Sequence, residues 1–76
     1  MKDLLEVIAK ALVDEPDEVK VSEVEGEQSV ILELRVADGD MGKVIGKQGR
    51  IAKSIRTVMK AAANRENKRV VVEIMQ

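Results

Sequence analysis

The chain has 76 residues and a mass of 8.4 kDa, enough for one small hydrophobic core and too little for a second domain, because short chains bury proportionally little surface. Hydrophobic residues make up 45% and charged residues 36%, a globular rather than a disordered composition, and the absence of Cys excludes a disulfide scaffold and a cysteine-based zinc site. A net charge of −1 and a pI near 5.4 exclude a uniformly basic surface.

The charge is unevenly distributed. Residues 1–27 hold nine acids against three bases, whereas residues 39–60 hold Lys43, Lys47, Arg50, Lys53, Arg56 and Lys60 against Asp40 alone. No apolar stretch approaches the ~20 residues of a membrane span, and no apolar signal region follows Met1-Lys2-Asp3. A cytoplasmic location without a membrane partner is the expectation.

Taken in chain order, Leu4, Leu5, Val7, Ile8, Ala11 and Leu12 recur at helical spacing, with Asp3 placed to cap and Glu6 to complete a capping box. This first helix should stop before Asp14-Glu15-Pro16, since proline cannot continue a helix. Val19 and Val21 alternate with polar neighbours, Glu25-Gly26-Glu27 supplies a turn, and Val30, Leu32, Leu34 and Val36 alternate again, which reads as a hairpin. Val24 breaks the first alternation and reads as a bulge or the strand's end.

Ala37-Asp38-Gly39 is a loop, after which Asp38 or Asp40 is placed to cap a very short helix over residues 41–45. Gly46 and Gly49 interrupt it. A longer helix should begin near Arg50, with Ile51, Ile55, Val58, Met59 and Ala62 on one face and Arg50, Lys53, Arg56 and Lys60 on the other. Asn64-Arg65-Glu66-Asn67 ends it, and Val70, Val72 and Ile74 alternate with Val71, Glu73 and Met75 in a last strand. The order α-β-β-α-α-β predicts an α+β domain over residues 1–76, with three helices packed on one face of a three-stranded sheet.

The segment between the second and third helices carries the chemistry. Glycine at 46 and 49 opens backbone angles closed to other residues and lets a ligand reach the main chain. A helix begins just after Gly49, so its positive dipole end faces whatever lies against the loop, and Lys43, Lys47 and Arg50 add formal charge. Phosphate is the natural ligand. Glycine between helices is more often only a C-cap and turn, and the surrounding lysines weigh against that plainer reading.

Val44-Ile45-Gly46-Lys47-Gln48-Gly49-Arg50-Ile51 resembles the Gly-x-x-Gly signature of KH domains, which clamp about four nucleotides of single strand. The element order is similar to the type II, bacterial arrangement. That resemblance implies a mixed sheet with the second and last strands side by side in parallel. The stretch from Lys43 to Ile55 and the Val70-Val71-Val72-Glu73-Ile74 ending resemble the KhpA family of small bacterial KH proteins, and the likeness covers nearly the whole chain. One departure stands out: many KH domains place an aliphatic residue three positions after the second glycine, where this chain has Ala52, with Ile51 before it.

The resemblance implies a binding module for single-stranded RNA with slight sequence preference and a post-transcriptional, RNA-chaperone-type role. Gly42, Lys43, Gly46, Lys47, Gln48, Gly49, Arg50 and Lys53 are its expected site residues. It also implies self-pairing, or pairing with a KhpB-like (Jag or EloR) KH protein, and a link to cell division and envelope growth through that partner.

With no Phe, Tyr or Trp, bases cannot stack on aromatic platforms, and aliphatic residues such as Val44, Ile45 or Ile51 could receive them instead. One isolated domain should therefore bind weakly, and pairing would raise affinity through effective concentration. Arg56 and Lys60, a turn or more beyond the loop, read as an ordinary solvated face. Ile31, Val71 and Met75 fall on the outer side of their strands.

No cofactor or metal is expected. His and Cys are absent, Ser54 has no partner at a recognisable catalytic spacing, and Gly42-Lys43-Val44-Ile45-Gly46 is not a Walker loop. An interaction adaptor that keeps the fold and works through a partner protein is the alternative reading, and single-stranded DNA shares every loop argument.

Overall fold

The hydrophobic periodicities resolve, in a computed structural model that describes residues 1–75, into the expected order of elements. These are α1 (Lys2–Leu12), β1 (Lys20–Glu25), β2 (Ser29–Arg35), α2 (Met41–Ile45), α3 (Arg50–Arg65) and β3 (Arg69–Met75). Short 3-10 turns at Pro16–Glu18, Asp38–Asp40 and Lys47–Gly49 connect them.

Helix α1 begins earlier than its sequence implies. Met1 occupies the N-cap position without a side-chain bond, so the predicted capping box does not form. Asp3 lies in the first turn, where its charge complements the helix dipole. Glu6 turns the other way and accepts from Lys10 Nζ at 2.9 Å, one helical turn on. The helix ends as expected at Val13, whose backbone is extended, ahead of the 3-10 turn opened by Pro16.

The sheet has the order β1-β2-β3. Strand β2 is central, antiparallel to β1 and parallel to β3, the mixed arrangement the KH resemblance implies. The β1–β2 register runs unbroken from Lys20 opposite Arg35 to Glu25 opposite Val30, so there is no bulge at Val24. Val24 instead sits on the outer face opposite Ile31, and Glu23 takes the inward parity on an edge strand, where it is only half-buried. Sequence alternation fails there because a polar residue occupies the inner side of an edge. Val24, Ile31 and Val71 stand in one register row across the outer face, all exposed.

The inner face carries the core. Val30, Leu32 and Leu34 of β2 are completely buried, together with Leu5 of α1, Val44 of α2 and Met59 of α3. Along α3 the buried stripe is Ala52, Ile55, Met59 and Ala63. The expected face of Ile51, Ile55, Val58, Met59 and Ala62 is thus rotated: Ile51 and Ala62 are half-buried and Val58 is 46% exposed. Ala52 and Ala63 let the helix approach the sheet closely, and the larger Ile51 and Val58 flank the seam with α1.

Helix α3 continues through Asn64 and Arg65, two of the residues expected to break it, and ends in a Schellman motif. Lys68 N–H donates to Ala63 O at 2.9 Å and Asn67 N–H to Asn64 O at 3.1 Å. Asn67 adopts the left-handed conformation (φ 57°) that such a cap needs and that Asn tolerates better than most residues.

Truncating the central strand should be far costlier than changing its outer neighbour. Leu32→Ala is expected to lower unfolding free energy by about 2–5 kcal/mol, and Val24→Thr to change it by no more than about 0.5 kcal/mol. Urea denaturation followed by far-UV circular dichroism measures both.

Candidate nucleic-acid interface

The connection between α2 and α3 is built from backbone angles that most side chains cannot adopt. Gly46 has φ 76° and ψ 175°, Gln48 φ 57° and ψ 24°, and Gly49 φ 72° and ψ 17°, so three of four consecutive residues have positive φ. Gly46 N–H closes α2 onto Gly42 O at 2.8 Å, and Gly49 N–H turns back to Gly46 O at 3.1 Å.

The two loop glycines are required for different reasons. A Cβ on Gly46 would lie 2.6 Å from Cγ1 of Ile51, so this position is closed both by its angles and by the side chain packed against it. Gly49 has open space around it and is required only by its left-handed φ. Gly42, one turn before Gly46 on the same side of α2, also has open space where a Cβ would stand, and this side of the helix presents bare backbone.

Gly49 stands at the N-cap of α3 and no side chain caps that end. The positive end of a 16-residue helix therefore faces the loop. Lys47, Gln48, Arg50 and Lys53 surround it, and Lys47, Arg50 and Lys53 have no carboxylate partner among the described residues. Arg50 Nη2 donates to Gln48 Oε1 at 3.2 Å, which holds the guanidinium over the loop and leaves the Gln48 amide nitrogen able to donate outward.

Lys43 is different. Its ammonium lies 2.8 Å from Asp14 Oδ2 and 3.5 Å from Asp40 Oδ1. The hydrogen bond and charge of Asp14 hold it above the usual lysine range, with Asp40 adding to the effect. The structure thus brings Lys47, Gln48, Gly49, Arg50 and Lys53 together as one basic surface and ties Lys43 to carboxylates beside it.

Asp40, a candidate helix cap by sequence, has another task. Its side chain is buried and makes no cap bond; Oδ1 accepts from Asp14 N–H at 3.1 Å and Oδ2 from Glu15 N–H at 3.0 Å. Burial pushes its carboxyl up, but the two backbone donors and Lys43 outweigh that and leave it below the ordinary carboxylate value. It staples the turn after α1 to the start of α2. The Asp40–Lys43 spacing of three signals their pairing, whereas nothing in the sequence signals donors 25 and 26 residues upstream.

The aliphatic surface expected for bases is narrower than the sequence implies. Val44 is completely buried in the core and cannot present surface to a ligand, and Ile51 packs against Gly46 and lines a groove facing α1. Ile45, half-buried beside the loop, is the remaining one of the three. Arg56 is no simple solvated residue either: its Nε donates to Val72 O at 3.3 Å and ties α3 to β3.

A family model described as "KhpA/KhpB, KH domain" matches residues 2–74. The chain belongs to this KH-domain family. It is similar to the RNA-binding protein KhpA of Clostridium acetobutylicum, with 80% identity over 99% of this chain and all of that protein. The RNA-binding protein KhpA of Clostridium perfringens is 71% identical over the same shares. That of Aquifex aeolicus is 53% identical over all of this chain and 96% of its own length. The KhpA/KhpB match takes in the positive-φ loop and every element described above but the last residue of β3.

Two outcomes follow. Gly49→Ala should cost about 1–2 kcal/mol, the left-handed penalty alone, and Gly46→Ala distinctly more, because Ile51 must also be displaced; chemical denaturation separates them. Because folding lowers the Asp40 value, its ionised form contributes stability above the unfolded value of about 3.9, and that contribution disappears as pH falls through the lower folded-state value. Asp40→Asn should therefore lower the thermal midpoint at neutral pH, and the gap from the native chain should close in acid below that value.

Proposed function

We propose that this protein binds single-stranded RNA without catalysing a reaction, and that it does so by clamping the sugar-phosphate backbone with residues 46–49. The observation that carries this reading is the loop itself. Three positive-φ residues, bare glycine backbone, an uncapped helix start and three cations without carboxylate partners among the described residues converge on one surface. Its relatives' name, RNA-binding protein KhpA, agrees with it.

In this reading Gly42, Gly46 and Gly49 admit the strand to the main chain. Lys47, Gln48 and Arg50 contact phosphate, and Lys53 steers the approaching strand. Lys43, held by Asp14 and Asp40, contributes mainly by fixing α2 beneath the loop. Phosphate contacts position a strand and carry no sequence information, so base preference is slight. Without aromatic platforms each base forgoes the roughly 1–3 kcal/mol of stacking available elsewhere, and a single copy binds weakly.

A second reading, an adaptor acting through a second copy or a KhpB-like KH protein, is favoured by one feature. A groove of about 300 Å³ between α1 and α3 is lined by Ile8, Leu12, Ile51, Ser54, Ile55 and Val58, with Leu4 and Val7 exposed on α1. The two readings are compatible if pairing supplies the affinity one loop lacks.

Fluorescence anisotropy with labelled oligouridylate separates them. The Lys47→Asp, Gln48→Asp variant should keep its circular dichroism and thermal midpoint, since Asp tolerates the left-handed angle at position 48, and should lose binding. For the native chain the log–log dependence of affinity on salt should have a slope near −2, the value for about three neutralised phosphates on a single strand. Binding indifferent to salt and to the variant would favour the adaptor.

A further inference from the structure

The end of the domain opposite the loop carries a second polar cleft. It measures about 870 Å³ and lies between the β1–β2 hairpin, the last turns of α3 and the start of β3. Gln28, Lys60, Asn64, Asn67 and Arg69 supply most of its lining, a size within the roughly 300–1,000 Å³ of ligand sites.

Its walls are joined. Arg69 N–H donates to Gln28 O at 2.8 Å, and Lys68 pairs with Glu25, which fastens the hairpin to the α3–β3 turn. No acidic residue lines the cleft among the described residues. Lys60 and Arg69 have no carboxylate partner among the described residues and leave it positively charged. Asn64, Asn67 and Gln28 each bring an amide with both donors and an acceptor, and Val70 offers a half-buried apolar surface.

The flank of α3 joins this cleft to the loop. Lys53, Arg56, Lys60 and Asn64 follow one another at spacings of three and four, which places them along one side of the helix. Arg56 fixes that side toward β3 through Val72 O. From Arg50 to Asn64 the helix rises about 21 Å, farther than the few nucleotides a Gly-x-x-Gly loop clamps would fill at the loop alone.

We propose that the cleft at the hairpin end is a second nucleotide site, in which Lys60 and Arg69 hold phosphate and the amides of Gln28, Asn64 and Asn67 hold ribose or base edges of a strand continuing from the loop along α3. The proposal rests on the reading of the loop as a single-strand clamp and extends the footprint beyond it.

The test compares labelled oligouridylates of about four and about ten nucleotides. The native chain should bind the longer strand roughly tenfold more tightly, with a salt slope steeper by about 1.4 for two further phosphates. Lys60→Gln, Arg69→Gln should leave the short strand's affinity unchanged and abolish the gain on lengthening. Lys10→Gln, Lys20→Gln, an equal charge change at residues that do not line the cleft, should retain that gain.

The loop variant should lose both strands; if it keeps the short one, the loop reading fails while the length increment still judges the cleft. A full length gain in the Lys60→Gln, Arg69→Gln variant overturns the proposal, as does an equal loss for both strand lengths. Free uridine monophosphate shifting the Lys60 and Arg69 resonances at concentrations where the longer strand does not would also overturn it, because the site would then serve a free nucleotide.

Discussion

The parallel pairing of β2 with β3 is the constraint on which the rest of this small fold depends. Antiparallel neighbours can be joined by a tight turn, as β1 and β2 are, but parallel neighbours require the chain to travel back along the sheet before it can pair again. Everything between Arg35 and Arg69 serves that return. The crossover is divided into a five-residue α2 and a 16-residue α3, and the break between them falls at one end of the sheet, where the chain must reverse. A reversal this abrupt needs positive-φ residues, and Gly46, Gln48 and Gly49 supply them. The feature on which the proposed binding surface rests is thus also what lets the topology close.

Charge is partitioned just as locally. The chain is slightly acidic as a whole, yet among the described residues three cations around the start of α3 have no carboxylate partner, whereas Lys43 has two. The difference lies in the buried Asp40, which holds the backbone of Asp14 and Glu15 and brings the Asp14 side chain within reach of Lys43. Two acids elsewhere are likewise engaged: Glu6 with Lys10, and Glu25 with Lys68. Net charge measures long-range steering; the potential at the loop is set within a Debye length of roughly 8–10 Å, where only nearby groups count.

How far the sequence discloses this depends on whether a feature is local. The helices and strands are legible because burial imposes periods of 3.6 and 2 on consecutive residues, and the loop is legible because two glycines between helical patterns mark a turn and the cations around them point to an anionic ligand. The role of Asp40 is not, since its backbone partners lie 25 and 26 residues away. The orientation of α3 is only partly legible: a helix with Ile51 and Val58 on one margin and Ala52 and Ala63 on the other fits two rotations, and close approach to the sheet selects the small residues. Val24 misleads for a related reason, because an edge strand tolerates Glu23 facing inward. The far cleft has no sequence signature at all, as residues 28–29 and 60–70 meet only through the parallel pairing.

The absence of aromatic residues then has a structural as well as a chemical meaning. A core made from Leu, Val, Ile, Met and Ala in so short a chain buries little area per residue, and large rings on its surface would compete to enter it. Binding assigned to main chain, helix dipole and exposed cations takes nothing from the core, because these groups are polar and stay in water when no ligand is present. On the proposed reading, the consequence is a surface whose affinity grows with the number of phosphates it engages rather than with the identity of any base. Length of strand, and the number of such domains brought together on it, would then be the variables that decide how tightly a ligand is held.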